Sequence, residues 1–279
     1  MTGPFPAASR DAGPSGSPAA CFACALALAV SPHPAQASAW GRQAGTGFLA
    51  FGAEASGGAQ SFGRDGRLAP TRSYAKTEGA AYAEYGVTDT LMFVARPSFD
   101  LVGLGAPAGG RYRGPGSTAI GAQYEALVYG PAVLAVQGSV ALPGTASRAN
   151  PAAVGNTARE ADLRGLAGLA FAVGPYPAFL DLQQAYRFRS GGAAAQWHSD
   201  VTIGFRPAPR LLLMALSTTV VPLGPGTPWF PRSRSSKLGL EGVYDLTAAW
   251  SLALGASTTV YGRGALLDRG VSASLWYRF

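Results

Sequence analysis

The chain has 279 residues, 48% of them apolar and only 13% charged, with 38 glycines and a formal charge of +7. A soluble domain normally carries about 25% charged residues, so much of this surface is expected to face something other than water. Beyond residue 40 no run of 18 apolar residues occurs, which excludes a helical membrane span there; the basic residues are scattered and form no nucleic-acid footprint.

The N-terminus reads as an export signal. Arg10 precedes a short apolar run, Cys21 to Val30, followed by "SPHP" and then "AQASA", with small residues at Ala35, Ala37 and Ala39. That is the small-x-small pattern of a signal-peptidase site. Cleavage after Ala37 or Ala39 divides the chain into a signal peptide, 1–39, and a mature domain, 40–279. The alternative is a disordered Pro/Ala tail on a cytosolic protein. Cys21 and Cys24 form a CxxC inside the signal core, so a redox or metal role for them carries little weight. A lipoprotein acylation site also fails, because the apolar run follows Cys21. The mature domain has no cysteine, and losing one Arg and one Asp with the signal leaves the charge at +7.

From Trp40 on, Gly, Pro and Asp punctuate the chain into segments of ten to fourteen residues, many with period-two alternation. Twelve strands are expected, over 45–54, 73–86, 91–100, 117–129, 132–142, 162–173, 178–189, 196–206, 210–221, 235–245, 249–260 and 270–279. A tilted transmembrane β-strand needs about 9–11 residues. The connections after even-numbered strands are tight ("VTDT", "GP", "GPYP", "PAPR", "DLTA"). Those after odd-numbered strands are mostly long: 55–72, 101–116, 143–161, 222–234 and 261–269, with 190–195 shorter. Alternating tight turns and long loops describe an outer-membrane barrel. The fold class is therefore all-β: one antiparallel transmembrane β-barrel of about twelve strands, with ten to fourteen acceptable and both termini periplasmic. A secreted β-sandwich is the rival, but it does not account for the alternation in connection length.

Alternation gives each strand two faces. In 249–260, Trp250, Leu252 and Leu254 oppose Ser251, Ala253 and Gly255; in 196–206, Val201, Ile203 and Phe205 oppose His198, Asp200 and Arg206. The apolar set is expected to face lipid and the polar set the lumen. Tyr85, Phe171, Phe205, Tyr244, Trp250 and Tyr277 fall near strand ends at tight turns or the C-terminus, as an interfacial girdle does.

The segment "SYAKTEGAAYAEYGVTDTLMF" (73–93) resembles a family of proteobacterial outer-membrane barrels assigned to transport and grouped with a phenol meta-pathway family. Tyr82, Glu84, Tyr85, Gly86, Val87, Thr88, Asp89 and Leu91 match its early-strand motif, with an extra Ala83; Met92-Phe93 departs from it. "AWGRQAGTGF" (39–48) resembles the start of its mature chains. The resemblance implies an outer-membrane barrel passing a small solute, hydrophobic or aromatic by the family's label. The end of the chain, "VSASLWYRF", resembles the C-terminal signal recognised by barrel-assembly machinery, with Val271, Ala273, Leu275, Tyr277 and Phe279 at its alternate positions. Arg278 and Trp276 then face inward. The expected partners are the lipid bilayer and lipopolysaccharide, the assembly machinery and a small solute, with no nucleic acid.

By parity the lumen is expected to receive Lys76, Glu78, Glu84, Arg96, Asp100, Gln123, Glu125, Asp181, Arg187, Arg189, His198, Asp200, Arg206, Lys237, Glu241 and Arg278. Two readings stay open: a salt-bridge network that stiffens a narrow barrel, or a constriction selecting a polar or anionic solute. A closed structural or adhesive surface barrel is the alternative to a channel. An outer-membrane lipid hydrolase is a further one, since nucleophilic catalysis usually needs a His base. The mature domain's single histidine, His198, points inward by parity and Ser199 outward, so no catalytic residue, metal or cofactor is expected. "GLGAPA" (103–108) mimics a dinucleotide fingerprint but sits in a loop. The loop "GPGTPWFPRSRSS" (224–236) offers Trp229 and Phe230 beside three basic residues, Arg232, Arg234 and the adjoining Lys237, for contact with lipopolysaccharide or for folding over the mouth.

Overall fold

The computed structural model describes residues 38–106 and 109–279. The expected signal segment, its cysteines and the cleavage site before Ser38 lie outside the described residues. Fifteen β segments form a single sheet, and every pairing is antiparallel. They are β1 (Gly47–Phe62), β2 (Leu68–Gly86), β3 (Leu91–Arg96), β4 (Ser98–Leu104), β5 (Gly110–Pro115), β6 (Thr118–Tyr129), β7 (Ala132–Leu142), β8 (Glu160–Val173), β9 (Tyr176–Arg189), β10 (Gln196–Ala208), β11 (Leu211–Pro222), β12 (Arg234–Asp245), β13 (Trp250–Arg263), β14 (Ala265–Leu266) and β15 (Arg269–Arg278).

Three wall strands are interrupted. Pro97 separates β3 from β4, which both pair with β2; a proline has no N–H to give the ladder. Gly116 and Ser117 separate β5 from β6, and Leu267 and Asp268 separate β14 from β15. The wall therefore has twelve strands, and each expected strand has its counterpart. β1 pairs with β2 on one side (Phe48 opposite Glu84) and with β15 on the other (Phe48 opposite Arg278), so the sheet closes on itself. Closure leaves no unpaired edge, the condition for a sheet to sit in hydrocarbon.

The C-terminal residue belongs to that seam. Gly47 donates its N–H to the Phe279 carbonyl at 2.8 Å, and Phe279 returns the bond at 3.1 Å. The Phe279 ring lies over Gly47, where a Cβ would come within 2.2 Å of it. Tyr277 stacks between Phe279 (5.7 Å between ring centroids) and Trp250 (4.5 Å), so three outward aromatics mark one end of the barrel.

At that end the turns are tight. Gly130 and Gly174 take φ of 55° and 59° ahead of prolines in the two-residue turns after β6 and β8. A positive φ at the first loop position matches the twist of a hairpin. At the other end three of the six expected loops are largely strand. Residues 55–72 are a continued hairpin with a turn at 63–67; 101–116 holds the ends of β4 and all of β5; 261–269 holds the end of β13 and β14. The apolar alternation stops there because those strands stand clear of the apolar band, so their outer face needs no apolar residue. The connection 143–159 is a true loop, with a 3-10 helix at Pro151–Asn156 capped by Asn150.

Outward side chains are apolar: Leu240 is 70% exposed, Leu163 and Val271 each 63%. The inward face divides into two zones. Toward the tight turns it holds an apolar cluster, with Phe48, Tyr82, Leu212, Met214, Val243 and Trp276 packed together inside a charged rim. Phe48 meets Trp276 edge-on at 5.5 Å and Tyr82 at 6.3 Å. Above this plug the inward face is charged.

Candidate functional site in the barrel lumen

The charged zone surrounds a cavity of about 290 Å³. Two networks line it from opposing walls. On β2–β4, Lys76 reaches Glu78 at 2.6 Å and Asp100 at 3.4 Å, Arg96 also bonds Glu78, and Asn156 donates to Asp100 at 2.8 Å. On β8–β10 a chain of ion pairs crosses three strands. Arg189 meets Glu160 (2.8 Å), Arg187 meets Glu160 (3.3 Å) and Asp162 (3.0 Å), and Arg164 meets Asp162 (3.5 Å) and Asp200 (2.6 Å). The first network holds two cations and two anions, the second three of each. Each neutralises itself, so the cavity wall offers dipoles and hydrogen-bonding groups without a fixed field of one sign.

The N-terminal residues close the end nearer the tight turns. Ala39 donates its N–H to Asp181 Oδ2 (2.7 Å), Gly41 to Glu125 Oε2 (2.9 Å) and Ala44 to Asp89 Oδ1 (3.0 Å); Arg42 Nε donates to Glu84 Oε2 (2.6 Å). Gln123 Nε2 donates to the Ser38 carbonyl at 2.8 Å. Trp40 stands edge-on to Phe179 at 5.9 Å and lies against Gly168, where a Cβ would meet its ring at 2.7 Å. Glycine at 168 makes that approach possible. Ala39 packs with Val133, Ala135 and Leu166 of the wall. Hydrogen bonds to charged groups contribute about 1.5–3 kcal/mol each, so four such anchors hold the segment across the lumen.

The other end of the cavity is bounded by Gly155, Asn156 and Ala158 of the 143–159 loop. Val154, Ala158 and Ala193 pack on Phe230, which carries the guanidinium of Arg148 at 5.2 Å and that of Arg189 at 5.3 Å from its ring centre. Of the expected pair in the 224–236 loop, Phe230 folds inward and Trp229 stays exposed.

The sequence-predicted lumen residues divide by task. Lys76, Glu78, Arg96, Asp100, Arg187, Arg189 and Asp200 join the two networks. Glu84, Glu125, Asp181 and Gln123 hold the N-terminal segment. Arg206 and Arg278 share Asp245 at the inner rim (2.9 and 3.4 Å). Lys237 pairs with Asp268. Glu241 is buried, and its Oε1 has no hydrogen-bond partner among the described residues. His198 faces the lumen beside Gln196 (3.1 Å), while Ser199 on the outer face bonds Gln184 (2.7 Å); the two do not form a Ser–His pair. Among the described residues no three His, Cys, Asp or Glu side chains are placed to hold a metal ion.

Sequence reasoning missed Glu54, Asp162, Arg164 and Asp268, and gave the N-terminal segment no role. Asp162 and Arg164 carried a usable signal: they share parity and oppose Leu163. Gly165 and Gly168 dilute the alternation that would have drawn attention to them. Charge is also uneven along the barrel axis. The segments 55–72, 101–116, 143–161, 190–195, 222–234 and 261–269 hold eleven arginines and three carboxylates, an excess of eight in a chain whose formal charge is +7.

No family model matches the sequence, and no curated protein matches it significantly. Solved structures share its fold. An outer-membrane channel from Pseudomonas putida F1 superposes with a TM-score of 0.72 at 14% identity, over 88% of this chain and 99% of that one. The KdgM porin in complex with disordered oligogalacturonate gives 0.51 at 6% identity, over 83% and 99%. The translocator domain of the autotransporter NalP from Neisseria meningitidis gives 0.51 at 11% identity, over 85% and 90%. At these identities the likeness is one of fold: the chain is a twelve-stranded closed barrel of the outer-membrane kind.

Proposed function

We propose that this barrel sits in a bacterial outer membrane, exported by a cleaved signal peptide, and gives a small solute passive passage through its lumen. The observation that carries this reading is the cavity of about 290 Å³ between two self-neutralised charge networks. Small-ligand sites start near 300 Å³, so the space suits one small molecule. Tyr82, Val94 and Leu216 line the same cavity, which favours a solute with both an apolar and a polar part. The resemblance of residues 73–93 to a transport family supports the same class. Because neither network has a net charge, passage is expected to discriminate weakly between cations and anions.

The test is single-channel conductance of the refolded protein in a planar bilayer, with solute uptake into liposomes. Discrete openings and solute-dependent swelling are expected. Absence of both sinks the channel and leaves the closed structural barrel, a reading favoured by the N-terminal segment and the apolar plug. Placement in the outer membrane has its own test. Phe279 completes the closing seam and ends the assembly motif, so its deletion is expected to reduce membrane insertion at least tenfold while leaving any inserted barrel's conductance unchanged. Normal insertion of the truncated chain would refute the assembly role.

A further inference from the structure

The excess of arginine at the outer end has a local focus. Arg234 on β12 and Arg263 on β13 are direct cross-strand partners, and both are exposed. Side chains in that relation have Cβ atoms about 5 Å apart, and like charges so placed repel. Arg234 lies over the Tyr261 ring at 5.6 Å. Exposed Arg269 begins β15, the strand that pairs with β13 lower down, opposite Thr258. None of the three arginines has a carboxylate within ion-pair distance among the described residues, whereas the charges inside the barrel are mostly paired.

Position along the wall says what the cluster meets. On β12 the outward residues run Tyr244, Gly242, Leu240, Leu238, Ser236, Arg234. Tyr244 belongs to the aromatic girdle at the tight-turn end. Ten residue steps at about 3.3 Å each, tilted about 40°, rise roughly 25 Å, the height of a barrel's apolar band. Arg234 and Arg263 therefore stand where hydrocarbon gives way to the headgroups of the opposite leaflet. Tyr261 is an interfacial aromatic at that level. Arg269, in register with Thr258 and Leu238, stands four residue steps lower, about 10 Å of rise, and its long stem reaches from the hydrocarbon toward the boundary.

We propose that Arg234 and Arg263, with Tyr261, bind the phosphate of a phosphorylated glycolipid headgroup in the outer leaflet, with Arg269 adding positive charge lower on the same face. A phosphate oxygen set between two opposed guanidinium groups turns their repulsion into two charge-assisted hydrogen bonds. The planar forks of arginine suit phosphate in this role, and the cluster consists entirely of arginine. The site lies on the lipid-facing wall, so it binds its ligand whether or not the lumen conducts.

The test uses the full-length mature protein in detergent, titrated with bisphosphorylated lipid A, with the same lipid dephosphorylated, and with inorganic phosphate. The wild type is expected to retain bisphosphorylated lipid A at least tenfold more tightly than the dephosphorylated form and to show no measurable retention of inorganic phosphate. The double variant R234Q/R263Q is expected to lose that preference. R64Q/R67Q, at the tip of the β1–β2 hairpin, is expected to keep it. Thermal unfolding checks the fold: without lipid, R234Q/R263Q is expected to melt no lower than the wild type, because the repulsion is gone; with lipid A the wild type is expected to melt higher. Equal retention by R234Q/R263Q and wild type, or retention indifferent to the lipid's phosphates, overturns the proposal. Retention of inorganic phosphate as tight as that of lipid A overturns the assignment to a lipid.

Discussion

Arg164, inside the barrel, has Asp200 at 2.6 Å and Asp162 at 3.5 Å; Arg263, on the outer rim, has Arg234 as its cross-strand neighbour. Both lie on β-strands. Their surroundings differ in what can solvate a charge. In the lumen a guanidinium has lost most of its water, and only matched carboxylates make it tolerable. At the rim the arginines are exposed, so they accumulate without partners among the described residues. The comparison teaches that this barrel's net charge belongs to its outer end, while its charged interior is nearly neutral. An account of solute passage that relied on the formal charge of +7 would look for an anion-selective pore where the wall offers none.

The sharpest way to break this comparison is to remove one arginine from each population. Arg164→Ala leaves Asp162 and Asp200 facing a poorly solvated space without their shared cation. A buried pair broken on one side typically costs about 3–5 kcal/mol. Urea unfolding in lipid vesicles should show a loss of that order. Arg263→Ala should stay within about 0.5 kcal/mol of the wild type, as exposed substitutions do. If Arg164→Ala costs under about 1 kcal/mol, the lumen is wet enough to screen its charges, and the contrast with the rim disappears.

A second set of inward carboxylates serves backbone rather than arginine. Asp181 and Glu125 accept the N–H groups of Ala39 and Gly41. Replacing both with alanine removes two hydrogen bonds to charged acceptors, each contributing about 1.5–3 kcal/mol to holding the segment. The barrel wall itself does not depend on them. The expected outcome is a severalfold rise in conductance, with a melting temperature within a few degrees of the wild type. Unchanged conductance would mean that Trp40, Phe179 and the apolar plug close the lumen unaided.

Much of the barrel was legible because lipid and lumen impose opposite demands on alternate residues. β10, β13 and β15 show that alternation plainly, and the tight Gly-Pro turns mark their own ends. What escaped reading has physical reasons. β1 carries glycine and alanine in its outer half, so Glu54 stood in a segment without contrast. The hairpin extensions beyond the apolar band have no apolar face, so 55–72 resembled a loop. The lumen residues were legible as a set, but their partners were not. Parity tells which way Asp181 points; it cannot tell that Ala39, some 140 positions earlier, will cross the lumen to meet it. Pairings across a barrel depend on shear and on segments inside it, neither of which leaves a local pattern.

The smallest expected effect concerns a carboxylate that breaks the interior rule. Glu241 lies on β12 between Lys237 and Asp245, yet it touches neither partner network, and its Oε1 is buried without a hydrogen bond among the described residues. Opposite it stands Gly255, where an added Cβ would lie 3.6 Å from Glu241 Cγ. The side chain therefore lies along a wall kept low by glycine. If desolvation governs the interior, an isolated carboxylate there weakens the fold, and Glu241→Gln, equal in size and uncharged, should raise stability by up to about 1 kcal/mol. Glu78→Gln is the matched control, since Glu78 holds Lys76 and Arg96, and it should lower stability. Opposite signs for the two substitutions, read by the same urea titration, would show that pairing and not mere inward position decides the fate of a charge in this lumen. A loss of stability in both would mean that Glu241 has a cationic partner in the membrane that the folded chain alone does not supply.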